Sequence, residues 1–126
     1  MTPLLLTWNL PAKKAAKVRM LAMRSGVRVA AVETWQYLQP LGSFTGDCGS
    51  MDSLYDGEGF SEEMLVMAHF PQSMFSRFLQ ELRTARLLFP LKCVLTETNK
   101  GWNSMELYEQ LCAERDAAQR GEQAHE

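Results

Sequence analysis

The chain has 126 residues, 46% of them hydrophobic and 22% charged, with a formal net charge of -2. That length makes one domain able to bury a core without staples, and the near-neutral balance argues against a nucleic-acid partner. No apolar run approaches the roughly 18 residues of a membrane span, which argues against a membrane role. The N-terminus MTPLLLTWNLP lacks the basic stretch that precedes a signal peptide's apolar run. Cys48, Cys93 and Cys112 are odd in number and widely spaced, the pattern of reduced thiols in a cytoplasm rather than of disulfides or a zinc site.

A short design recurs along the chain. LLLTWNLP, Leu4 to Pro11, returns sixty residues later as MLVMAHFP, Met64 to Pro71. Each copy is an apolar run closed by a polar residue (Asn9 or His69), an apolar residue and a proline. Leu4 to Trp8 is too short for a helix and apolar except for Thr7, and it reads as a buried strand. Pro11 suits a first helical turn, and the helix it opens runs to about Arg24, ended by Ser25-Gly26. Its Lys13, Lys14, Lys17, Arg19 and Arg24 form a basic face that solvent or an acidic partner can take. Val27 to Val32 is a second, β-branched strand.

From Thr34 to about Glu62 no period is visible, apart from a possible helical turn at Thr34 to Leu38. The stretch gathers glycines and acids, and we expect a solvated excursion at about 36–62. Met64 to Ala68 is the third strand, and Pro71 opens a second helix to about Ala85. Leu91 to Thr96 alternates as a fourth strand. A third helix starts near Asn103, which has capping-box spacing to Glu106. Residues 1–114 thus form one α/β-type domain, and 115–126 read as a polar, frayed tail.

Strand–helix–strand twice over, with a non-helical link, predicts an α+β fold: the βαββαβ split-βαβ, ferredoxin-like two-layer sandwich with an extra C-terminal helix. The alternative is a small three-layer α/β fold with a parallel four-stranded sheet. Arg28 and Lys92 inside strands favour a sheet with one partly wet face, hence two layers.

MLVMAHF, then PLKCVLTETNKGW and a polar helix, resemble a family of small uncharacterised bacterial proteins, a domain of unknown function. The resemblance takes in the QPLGSFTG segment and is most specific at K-x-V-L-T-x-T-N-x-x-W, Lys92 to Trp102. It implies no activity, substrate or catalytic residue.

The densest polar cluster is Thr96, Thr98, Asn99, Lys100, Trp102 and Asn103. It joins a strand end to a helix start, where free N–H groups can hold an anion, with Lys100 adding charge and Trp102 a stacking face. The same residues also suit a turn and a cap, with Gly101 supplying a positive φ and Trp102 covering the core. His69 has no nucleophile or orienting acid nearby in sequence, and Cys48 sits beside Asp47, which disfavours a thiolate. No phosphate, zinc or calcium motif occurs, so neither cofactor, metal site nor catalytic residue is expected. The expectation is a non-enzymatic cytoplasmic module that binds a protein partner or itself. A small-molecule or anion-binding, sensor-like domain centred on Thr96 to Asn103 is the alternative.

Overall fold

The computed structural model describes residues 2–121. Its elements are β1 (Leu4–Trp8), α1 (Ala12–Arg24), β2 (Arg28–Ala31), a single 3-10 turn at Thr34–Gln36, α2 (Leu41–Thr45), β3 (Met64–Ala68), α3 (Gln72–Thr84), β4 (Leu91–Val94) and α4 (Ser104–Gln119). The four strands form one mixed sheet in the order β2-β1-β3-β4. β1 runs parallel to β2, β3 parallel to β4, and the central β1–β3 pair is antiparallel, with Leu4 opposite Ala68 and Trp8 opposite Met64.

The antiparallel centre excludes the all-parallel sheet. It also puts Asn9 and His69 at opposite ends, as the split sandwich requires. The split itself is absent, because each crossover helix returns the chain to its own strand's neighbour rather than one strand further on. Both arrangements leave β2 and β4 at the edges, so their hydropathy patterns are the same. The tendency of consecutive elements to lie side by side decides between them.

Two layers also give way to three. Leu5, Leu65 and Met67 face α1 and α3 through Val18, Leu21, Ala22, Phe78 and Leu82. Leu4, Leu6, Trp8, Met64, Val66 and Ala68 form the other face, covered by α4 through Leu107 and by Tyr37 and Leu41 of the 34–62 stretch. All five residues of β1 and of β3 are buried. Such strands read as unbroken apolar runs because both faces are covered. Trp8 Nε1–H donates to the buried Ser104 Oγ at 2.9 Å, which fixes α4 on this second face.

The stretch read as a solvated excursion is therefore half of a core. Tyr37 and Leu41 are fully buried, and Phe44, Tyr55 and Phe60 pack against the same cluster. Phe60 stacks on both Tyr37 and Tyr108, with centroids 5.1 and 4.1 Å apart. These residues carry no period, which hid them from a hydropathy reading. Nor does the helix stop at residue 115: α4 runs to Gln119, and Arg115 grips Glu62. The rest of the tail, 122–126, lies outside the described residues.

Candidate binding site

The repeat extends to backbone conformation. Asn9 and His69 both have φ of 63°, a left-handed geometry rare for residues with a side chain. Each uses it to aim a side chain at the same long link. Asn9 Nδ2–H donates to the carbonyls of Phe60 and Glu62 at 2.8 and 3.0 Å. At the opposite end of the sheet, His69 Nε2 lies 2.8 Å from Asp47 Oδ2. The Thr45 hydroxyl also donates to that carboxylate oxygen. The hydrogen bond from Thr45, with His69 beside it, holds the Asp47 carboxyl below its ordinary value against the opposing effect of burial. An ionised carboxylate only accepts, so His69 Nε2 carries the proton in this contact.

The Thr96–Asn103 segment closes against the same link. Asn99 is buried; its Oδ1 accepts from Thr96 N at 2.8 Å and its Nδ2 donates to Val94 O at 3.1 Å. Asn103 and Glu106 form the expected capping box, with both bonds at 2.9 Å. Lys100 pairs with Glu97 at 2.9 Å, while its carbonyl accepts from Gly42 N and that of Trp102 from Leu41 N, both at 2.8 Å. Trp102 is half-buried against the α4 side of the core, and Thr98 is exposed. Gly101 has no positive φ, contrary to expectation; Gly26, Gly46 and Gly59 are among those that do. Gly42 is needed for a different reason, since a Cβ there would lie 2.6 Å from Cys48 Sγ and 3.1 Å from Lys100 O. Cys48 itself points at Lys100 O, 3.7 Å away. The structure thus gathers the sequence-selected residues into a turn and spends most of their polar atoms there.

The remaining thiols lie on the α4 side of the sheet, Cys93 on β4 and Cys112 on α4 itself. Burial, with Glu114 nearby, pushes the Cys93 thiol up to about 11. A hydrogen bond to Cys112, then burial and Glu62, push the Tyr108 phenol up to about 12. Neither is poised to act as a nucleophile near neutrality. All three cysteines are unbridged. Among the described residues no group of three His, Cys, Asp or Glu could hold a metal ion, and no helix is long and apolar enough to cross a membrane.

A concave surface lies elsewhere, at the free edge of β4. A cavity of about 100 Å³ is lined by Leu79, Leu82 and Arg83 of α3, by Leu87, Leu88 and Phe89, and by Lys92 of β4. Lys14 braces two of the lining residues: its ammonium sits 4.4 Å from the Phe89 ring centre and donates to Leu88 O and to Glu63. Leu88 is left 67% exposed. Arg83 donates to Gln80 Oε1, and neither it nor Lys92 pairs with a carboxylate among the described residues. Leu95 N bonds inward to Met67 O. Strand alternation then turns the N–H groups of Lys92 and Val94 outward. The outward carbonyl of Val94 is closed by Asn99, so the open edge ends there. Sequence reasoning missed this groove because its apolar walls read as helix stripe and linker; Lys92 alone marked a wet position.

No curated protein and no solved structure matches this chain. A family match within the second part of the chain takes in every residue lining the groove and the Lys92–Trp102 pattern, and leaves the QPLGSFTG segment outside. Residues 63–117 match the family described as a domain of unknown function (DUF3783).

Proposed function

We propose that the chain is a non-enzymatic module that binds a protein partner, taking an extended, acidic segment of that partner along the β4 edge. The observation that carries this reading is the groove between β4 and α3. It combines an apolar cavity, two cations without carboxylate partners among the described residues and a strand edge that no other strand pairs there. Strand addition draws affinity from main-chain bonds and specificity from alternate side-chain pockets. Here the cavity has room for one aliphatic side chain, and Arg83 and Lys92 favour carboxylates on either side of it. The opposite edge, β2, offers a four-residue strand with Arg28 at its start, and pairing of two copies there is the rival arrangement.

Selection of displayed random peptides on the immobilised protein tests the proposal. Enriched peptides are expected to share an apolar residue flanked by Asp or Glu, and to bind more weakly to Leu88→Asp and Lys92→Glu proteins. No enrichment over the Lys92→Glu protein, or binding indifferent to both changes, would overturn it. So would concentration-dependent dimers in sedimentation that are abolished by Ala31→Lys, since the rival edge would then be the interface.

A further inference from the structure

An apolar knob stands on the 34–62 link. Residues 51–58 read MDSLYDGE, and all but Tyr55 are exposed. Leu54 is 71% exposed, with Asp52 and Asp56 two residues to either side. The segment is nonetheless pinned at its backbone. Gln39 Nε2–H donates to Met51 O and Gln39 Oε1 accepts from Met51 N, both at 2.7 Å. Tyr55 N–H donates to Trp35 O at 3.1 Å, and the Tyr55 ring packs inward, 5.6 Å from that of Tyr37. Neither Asp52 nor Asp56 pairs with a cation among the described residues. A leucine held out in this way loses little freedom on binding, and exposed apolar surface rimmed by charge marks interaction sites.

The opposite layer carries a matching hollow. A cavity of about 230 Å³ lies between α1 and the residues that follow α3, lined by Lys17, Met20, Leu21, Arg24, Ala85 and Leu87. Met20 is 67% exposed. Lys17 and Arg24 are exposed too, and neither has a carboxylate partner among the described residues. They stand about 10 Å apart along the helix, at about 1.5 Å per residue. Four loop residues, at up to about 3.5 Å each, let Asp52 and Asp56 match that separation. Two cations around an apolar hole thus complement two carboxylates around an apolar knob.

The knob and the hole cannot meet within one chain. α1 packs on the sheet face of Leu5, Leu65 and Met67, whereas the link packs on the face of Leu6, Trp8 and Val66. From this juxtaposition we infer that a second copy of the chain seats its Leu54 in the α1 cavity, with Asp52 and Asp56 against Lys17 and Arg24. Because the two surfaces lie on opposite layers, the contact is head-to-tail and leaves one knob and one hole unused. Such a contact grows into rings or filaments rather than closing at a dimer. It is independent of the β4 groove, which takes an extended segment, whereas the bonds to Gln39 keep residues 51–53 from laying out as a strand.

Sedimentation velocity of the full chain across a concentration series tests the inference. The parent is expected to form species larger than dimers at concentrations up to about 1 mM, and added salt should weaken them by screening the exposed charges. Leu54→Asp and Met20→Asp should each weaken the association about tenfold or more, the loss expected at the centre of an interface. Leu88→Asp and Ala31→Lys should leave it unchanged. Mixed in equal amounts, the Leu54→Asp and Met20→Asp proteins should form a 1:1 dimer and nothing larger, because one keeps the hole and the other the knob. Both changes fall at exposed positions, so circular dichroism spectra should match the parent's. A parent that stays monomeric or stops at a dimer, association that persists in the Leu54→Asp protein, or a mixture that remains monomeric would each overturn it.

Discussion

Two residues, Asn9 and His69, show how little chemistry is needed to tie a long link to a sheet. Both hold φ at 63°, which costs an alanine about 1–2 kcal/mol more than a glycine. Asn9→Ala should therefore be more destabilising than Asn9→Gly by about that amount, although both lose the bonds to Phe60 and Glu62; equal urea midpoints would contradict this. The clamps also set the acid limb of stability. Asp47 is held low by Thr45 first and then His69, and Glu62 by Arg115 first and then Tyr108. A carboxylate depressed in the folded state contributes stability above its unfolded value, roughly 4. That contribution is lost as pH falls through the lower folded value. Thermal midpoints of Asp47→Asn and Glu62→Gln proteins should accordingly fall less steeply than the parent's below about pH 4; parallel curves would refute the assignment. The repeat made these positions legible as a pair, but nothing in the sequence said what each side chain would hold.

The elements divide by how their signals arise. β1 and β3 have the bounds read from their apolar runs, and the α4 cap was legible in Asn103 and Glu106 because a capping box is local. Asn103→Ala should cost about 1 kcal/mol, and Lys100→Ala almost nothing, since its ion pair with Glu97 is exposed; chemical denaturation measures both. The 34–62 link was illegible because Tyr37, Leu41, Phe44, Tyr55 and Phe60 are packed by tertiary contacts without any period. Replacing 42–59 by a Gly/Ser linker should cost a few kcal/mol, because it removes the partly buried Phe44 and Tyr55, each contributing somewhat less than the about 1.5–3 kcal/mol of a fully buried side chain. Loop length alone would change stability by only about 0.6 kcal/mol per doubling. A linker variant as stable as the parent would show that the link does not support the core.

Across the whole molecule, two unsplit strand–helix–strand units meet along an antiparallel β1–β3 seam, and the link and α4 cover the face that α1 and α3 leave open. Sequence pattern reached the strand count, the antiparallel centre and the edge positions of β2 and β4. It could not choose the partner of each edge strand, because Arg28 and Lys92 mark an edge without saying whose edge it is. That choice matters for function, since β4 lying beside β3 places Lys92 next to Leu79 and Leu82 and so makes the groove. Hydrogen exchange of the β4 amides, with and without a selected acidic peptide, tests the binding proposal most directly. Cys93 and Leu95, bonded inward, should be protected in both states, whereas Lys92 and Val94 should exchange fast in the unbound protein and become protected in the complex. Fast exchange at Lys92 and Val94 in a saturated complex, with protection appearing elsewhere, would contradict it.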